Sequence, residues 1–333
     1  MNRLLLLLLF ITGVSQSKAQ DISVDILQQG SSFSDSSYYD IAKVEDKFWI
    51  CGKYGILKSI DKNGKIENIE YPSENLDIYK LENLSDETLI ASGDKGTVYF
   101  HDIKTKKWRT VKVKGYENAC FYNLTVDYKK NIYLSGGNSK IAHSGKTVPN
   151  GFILVSSDMG KTWTRIYHNL FNMVWCVKVN PYDQKVYALM YSPNKTDMFV
   201  YENQKWNKKQ KLGNSIFHEI QFESESQFVA TGGWIGKKGR IYTSSHKKII
   251  EGSGLLWGRV KNEKYTLYTG CNGNIILDQN NSNLILHHTS LNLPFSLYEA
   301  IFIDENSAYA IGSGRTLLKI NIKENPVFEV KNQ

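Results

Sequence analysis

Short apolar strands that end in a glycine punctuate this chain: Phe48-Trp-Ile-Cys-Gly52, Leu89-Ile-Ala-Ser-Gly93, Ile132-Tyr-Leu-Ser-Gly136, Phe228-Val-Ala-Thr-Gly232, Leu267-Tyr-Thr-Gly270 and Tyr309-Ala-Ile-Gly312. A seventh, Val186-Tyr-Ala-Leu-Met190, keeps the apolar pattern and lacks the glycine. The spacing is roughly 40 to 45 residues, a period that marks an array of small repeated units. Before each run lies a stretch with alternating apolar positions, such as Leu124 and Val126, Ile220 and Phe222, or Ile301 and Ile303. After each come a loop and another apolar run, such as Thr97 to Phe100 or Leu317 to Ile320. Period-two alternation of β-branched and aromatic residues is the mark of half-buried strands. Three units close on a polar turn and a tryptophan, at Trp108, Trp163 and Trp206, which supplies a fourth, outer strand. Seven such units predict an all-β fold, a seven-bladed β-propeller of four-stranded antiparallel blades.

Ahead of the first unit, Ile22 to Leu27 alternates like a strand. It is expected to pair with Leu317 to Ile320 in the last blade and close the ring, because closure removes an exposed sheet edge. The run Val327 to Val330 is the rival for that role. Residues 1–19 read differently: Arg3, leucines from Leu4 to Leu9, Phe10-Ile11, then small residues at Ser17 and Ala19. That is the pattern of a signal peptide cleaved near Ala19, with an apolar core too short for a comfortable span. The residue directly after the cleavage point is Gln20 and not a cysteine, which argues against a lipid anchor. The expected product is a single domain over 20–333, exported to a periplasmic, cell-surface or extracellular location without a transmembrane anchor.

One corner is sharper than the rest. Ser156-Ser-Asp-Met-Gly-Lys-Thr-Trp163 places an Asp where it can accept backbone N–H bonds across a tight turn. Gly160 can take the positive φ the turn needs, and Trp163 re-enters the next strand as an apolar anchor. This stretch resembles the Asp-box (BNR) repeat, Ser-x-Asp-x-Gly-x-Thr-Trp, of sialidase-type β-propellers, with every marked position present at Ser156, Asp158, Gly160, Thr162 and Trp163. With the glycine-terminated strands and the leader, the chain is also similar to exported propellers of the photosystem II assembly-factor-like group. The resemblance implies that the box is a structural turn between the third and fourth strands of a blade, away from the ligand face. Other corners, such as Asp61-Lys-Asn-Gly64, are degenerate copies.

Composition changes little. The net charge of +8, lowered by two once Arg3 and Lys18 leave with the leader, suits an anionic partner without requiring one. Cys51, Cys120, Cys176 and Cys271 lie far apart with no metal-ligand spacing. An oxidising compartment would permit disulfides, with Cys120 and Cys176 as the pair at the starts of successive repeats, but buried free thiols are the reading preferred over that pair. No cofactor is expected.

Enzyme chemistry finds thin support. The sialidase resemblance implies an arginine triad, but no Arg-Ile-Pro-like motif stands in the first blade. Only Arg240, Arg259 and Arg315 could assemble a triad, since Arg109 and Arg165 follow the outer-strand tryptophans. No His-Glu-x-x-His, Gly-x-Ser-x-Gly or Walker-type loop appears. The one adjacent histidine pair, His287-His288, would point to opposite faces of a strand. The basic residues form no continuous stripe of the kind that tracks nucleic acid.

The starts of the innermost strands are more informative. To within one residue, Tyr39, Tyr79, Tyr122, Trp175, His218, Trp257 and Glu299 occupy equivalent places. They either pack between neighbouring blades or form an aromatic funnel at the mouth of the central channel. Three loops on the same face are long, at Asn138 to Asn150, Ser192 to Asp197 and Gly233 to Gly239. They bring Trp234, Lys237, Lys238 and Arg240 to one side. The expectation is a non-enzymatic monomer that binds a protein or glycan partner on its channel face, an anionic one if the lysine loops contribute. The candidate contacts are Trp175, His218, Trp234, Lys237, Lys238, Arg240, Trp257 and Arg259. The alternative is a carbohydrate-active enzyme, a sialidase-like glycosidase or a polysaccharide lyase, using Asp40, Glu219 and Glu299.

Overall fold

Each repeated unit folds on its neighbours in sequence into one four-stranded antiparallel sheet, and seven sheets stand round a central channel. The computed structural model describes residues 21–323 apart from 31, 33–35, 71–74, 139–149, 193–194, 235–237, 246, 251–253, 280–285 and 291–293. Residues 1–20, Lys237, the centre of the longest loop and the run at 327–330 therefore lie outside the described residues. Blades one to six take residues 38–68, 78–112, 119–169, 173–213, 216–250 and 256–290 in order. The seventh is built from Leu297–Phe302, Ser307–Gly312 and Leu317–Lys323, completed by Asp21–Gln28 from the other end of the chain.

That closing strand lies where its alternation places it. Ile22 pairs with Ile322, Val24 with Ile320 and Ile26 with Leu318. Ile22 and Val24 pack into the core between blades six and seven. A register shift between Ile26 and Gln28 then turns the strand, so Ile26 is exposed while Leu27 packs between blades seven and one. Closure through the N-terminal strand gives the last blade its outer edge without a free end in the ring.

Burial is organised between blades. Seven clusters of buried apolar side chains occur among the described residues, one at each junction of neighbouring blades. The cluster between blades two and three sets Ile90, Val98 and Phe100 against Phe121, Leu134 and Leu154. Two-sided burial explains why the middle strands read as continuous apolar runs rather than as clean alternation. The outer-strand tryptophans reach across these seams. Trp108 donates from Nε1 to the Glu70 carbonyl of blade one at 3.1 Å, and Trp206 to the Ile166 carbonyl of blade three at 3.1 Å.

The Asp158 corner joins the third and fourth strands of blade three, Gly151–Ser156 and Thr164–Asn169. Asp158 accepts from the Thr162 N–H at 2.9 Å and from the Thr162 hydroxyl at 2.5 Å. The Ser156 hydroxyl donates to Asp158 at 2.8 Å and accepts from the Gly160 N–H at 2.9 Å. Gly160 has φ +78°, and a Cβ there would lie 2.7 Å from the Phe100 ring of blade two. The degenerate corners keep the essential acceptor: Asp61 takes the Asn63 and Lys65 amides at 2.8 and 3.0 Å, and Asp102 the Thr105 amide at 2.7 Å.

All four cysteines are buried free thiols, the reading favoured over a Cys120–Cys176 bridge. One expectation about the loops is corrected. The stretch after Ser192 is not an inserted loop, because the pairing of the second and third strands of blade four runs as far as Ser192 opposite Lys195.

Candidate functional site

The inner strand of every blade carries an irregularity at the same place. In blade one Tyr38 pairs with Gly52 and Asp40 with Cys51, so Tyr39 is one residue too many for the ladder. The same skip falls at Tyr79, Trp175, His218, Trp257 and Tyr298; in blade three the pairing jumps from Cys120 to Asn123 and takes in Tyr122. A bulged residue leaves the alternation of its strand and is re-aimed. Here the re-aimed residue is aromatic in all seven blades.

The bulge accounts for the glycine that ends the second strand. A Cβ on Gly52 would lie 2.1 Å from the Ser37 carbonyl oxygen, and on Gly312 1.9 Å from that of Ser296. The carbonyl that precedes the bulged pair therefore needs a residue without a side chain opposite it. Blade four manages with Met190 opposite Val174.

Side by side, the seven aromatic residues form a closed ring at one end of the channel. Going round from Tyr39, neighbouring centroids stand 5.4 Å apart to Tyr79, 5.4 Å to Tyr122, 5.4 Å to Trp175 and 5.2 Å to His218. The circuit closes with 4.3 Å to Trp257, 5.2 Å to Tyr298 and 6.2 Å back to Tyr39. The ring walls a cavity of about 320 Å³. Trp175 Nε1, Trp257 Nε1 and His218 Nε2 are buried and have no hydrogen-bond partner among the described residues. Three adjacent blades thus bring unmet polar nitrogens to one arc of the ring, and a buried donor left unmet costs about 1–3 kcal/mol. Burial drops His218 to about 3, so its imidazole is neutral at ordinary pH.

One residue further along the inner strands, the wall turns charged. Lys80 reaches Asp40 at 2.8 Å and Glu299 at 3.9 Å. Asp40 also accepts the Leu81 N–H at 2.7 Å, an amide at the channel edge of the next blade. Asn123 plays the same part, accepting the Val177 amide at 3.3 Å. Burial works against the charge on Lys80, but Asp40, Glu299 and Glu219 outweigh it and hold the ammonium well above the ordinary lysine range. Burial, with Glu219 and Asp40 nearby, raises the Glu299 carboxyl to about 8 against the pull of Lys80. Gly258 makes room for that group, since a Cβ there would sit 2.9 Å from Glu299 Oε1.

Of the residues singled out in the sequence, Trp175, His218 and Trp257 meet in this ring. Glu299 is corrected by one place: Tyr298 is the ring member, and Glu299 belongs to the charged layer beneath. Trp234 and Arg240 come together elsewhere, both donating to the Asn214 carbonyl at 3.0 Å, where they brace the link between blades four and five. Lys238 is exposed on that loop. Arg259 is buried and committed to Glu223 and to Gln221 at 2.6 Å. Arg315 donates to Ser36. Arg240, Arg259 and Arg315 are thus each engaged separately, and none lines the cavity. Lys80 escaped notice, although an aromatic followed by a polar residue recurs as Tyr39-Asp40, Tyr79-Lys80, Tyr122-Asn123, His218-Glu219 and Tyr298-Glu299. Among the described residues no group of three or more metal-ligating side chains occurs.

No protein-family model matches the sequence, and no curated protein matches it. Solved structures do. YCF48 bound to D1 peptide aligns with a TM-score of 0.65 at 11% identity, over 90% of this chain and 96% of that one. A streptogramin B lyase aligns with a TM-score of 0.68 at 14% identity, over 91% and 98%. Selenomethionine-substituted virginiamycin B lyase from Staphylococcus aureus gives 0.69 at 13%, over 90% and 99%. At these identities the likeness establishes the fold: a seven-bladed β-propeller over nearly the whole described chain.

Proposed function

We propose that this protein is an exported, non-enzymatic propeller that binds a partner at the mouth of its channel. The observation that carries this reading is the closed aromatic ring, one side chain from each blade, with three adjacent polar nitrogens unmet. Packing between blades needs neither a complete circuit nor unpaired indole donors. A ligand seated in the ring would stack on its walls and take up those nitrogens. At the same end of the blades, Tyr54, Leu170 and Phe171 are 57%, 53% and 62% exposed, on a turn of blade one and on the link from blade three to blade four. Apolar residues on such a rim suit a protein partner better than a small solute. Lys238 is exposed at the same end of blade five and would be an outlying contact. That one structural neighbour is a propeller bound to a peptide agrees with this reading.

The test is capture of the partner from an exported fraction by immobilised wild-type protein and by the Trp257→Ala and Trp175→Ala variants. Loss of the captured protein in both variants, with melting temperatures kept, supports the reading. Equal capture by all three proteins moves the contact surface away from the mouth.

A lyase or glycosidase reading has one observation in its favour, the proton that Glu299 retains near neutrality beside Glu219 and Asp40. Such a carboxyl could serve as a general acid. Assay of the purified protein on sialosides and on anionic polysaccharides, with Glu299→Gln as control, decides it. Turnover that the variant lacks would establish an enzyme.

A further inference from the structure

Charge at the channel mouth runs opposite to charge on the molecule. The chain is basic overall, at +8, yet Asp40, Glu219 and Glu299 line the cavity with Lys80 as the only lysine among its lining residues. Lys80 is used up by Asp40 and leans towards Glu299. Among the described residues Glu219 makes no ion pair within 4 Å and no side-chain hydrogen bond, although it lies near enough to act on Lys80 and Lys178. Below it Lys178 is held above its ordinary range against burial by Glu82 and Glu219, so the deeper layer adds one carboxylate for one ammonium. The excess carboxylate faces a space walled by seven aromatic residues. Carboxylate and aromatic faces both favour an organic cation, and neither favours an anion.

Building on the channel-mouth reading, we propose that the ring receives a lysine or arginine side chain displayed by a protein segment, with Glu219 and Glu299 as its counter-charges. The cation would enter between the rings and give Glu219 a direct counter-charge. Its arrival would also release the proton of Glu299. The groups facing that carboxyl are Asp40 from blade one, Lys80 from blade two, Glu219 from blade five and Thr269 beside Gly258 from blade six. His218 stays neutral over the relevant range and cannot take the proton in exchange.

The experiment titrates the intact protein with N-acetylated, amidated tripeptides ending in arginine, lysine, glutamine or glutamate. The indole N–H resonances of Trp175 and Trp257 are followed, assigned through the two alanine variants. A fifth probe, unacetylated and ending in glutamine, distinguishes a chain terminus from a side chain. The arginine and lysine peptides are expected to bind about tenfold tighter than the acetylated glutamine peptide, with the glutamate peptide weaker again. Affinity for the arginine peptide should rise as pH increases through about 8, where Glu299 loses its proton. Glu299→Gln should flatten that dependence, and Glu219→Gln should lower affinity while keeping it.

Equal binding of glutamine and arginine peptides, or an arginine affinity indifferent to both pH and Glu219→Gln, overturns the cation assignment. The mouth itself would still be a binding site. Absence of any indole shift with the cationic peptides also overturns the assignment. The channel-mouth reading falls separately, only if Trp257→Ala and Trp175→Ala both still capture the whole partner. Tighter binding of the unacetylated glutamine peptide than of the arginine peptide would make the ligand a chain terminus and likewise overturn the side-chain proposal.

Discussion

Single side chains divide here into those that hold the turns and those that face the mouth. Asp158 belongs to the first group: its hydrogen bonds to Thr162 and Ser156 hold its carboxyl near 2. A folded-state value below the unfolded one means the contribution is complete above about pH 4 and is lost as pH falls towards 2. Asp158→Ala should therefore lower the melting temperature at neutral pH and narrow the gap to wild type in acid, as thermal melts at several pH values would show. Partner binding should be untouched, because the corner joins outer strands. Trp257 belongs to the second group. Trp257→Ala removes a ring wall and an indole donor together and is expected to cost on the order of 2 kcal/mol in partner affinity by calorimetry. A wild-type affinity would show that the ring is packing and nothing more.

At the scale of elements, the bulged inner strand and the glycine opposite it form one device. The skipped residue points an aromatic side chain into the mouth, and the strand beside it loses its Cβ to make room. Gly52→Ala would bring a methyl group within 2.1 Å of the Ser37 carbonyl oxygen, against backbone that cannot rotate away. We expect a loss of about 1–3 kcal/mol in urea unfolding, as for other overpacked sites, with the ring disturbed at Tyr39. An undisturbed Tyr39 in such a variant would mean that the bulge is held by other contacts. This device was half legible. The Gly recurring at six strand ends was plain in the sequence, and so was an aromatic near six of the seven strand starts. The step from Glu299 to Tyr298 was not, because alternation cannot locate an inserted residue: a bulge shifts the register by one and exchanges the two faces.

For the whole molecule, stability depends on the ring being closed. Removing residues 21–28 strips the outer edge from the last blade and uncovers Ile320 and Ile322, which are buried at 0% and 4% exposure beside Ile22 and Val24. A loss on the order of 3 kcal/mol or more is expected from the apolar area alone. The bared strand should also drive association through its free edge. Thermal melting and light scattering of the truncated chain read both effects. A monomer with wild-type melting would show that the C-terminal run can substitute.

What the sequence determined by itself is the part that rests on local spacing. Blade number, strand order, the Asp158 corner and the outer-strand tryptophans follow from period, alternation and turn chemistry, which act over a few residues, whereas two segments competed to close the ring until the pairing of Asp21–Gln28 decided it. What tertiary structure alone decided is the part assembled across blades. Whether seven aromatics some forty residues apart stack between sheets or meet in one circuit depends on the angle at which neighbouring blades stand. The sign of charge at the mouth was equally hidden. Asp40, Lys80, Glu219 and Glu299 come from four blades, and the prominent lysines of the loops drew attention to an anionic partner. Burial reversed the weighting, since a carboxylate inside the channel acts through a low dielectric while an exposed lysine is screened by water and salt. Trp234 and Arg240 met the opposite fate, spent on the Asn214 carbonyl because the link between blades lay within their reach.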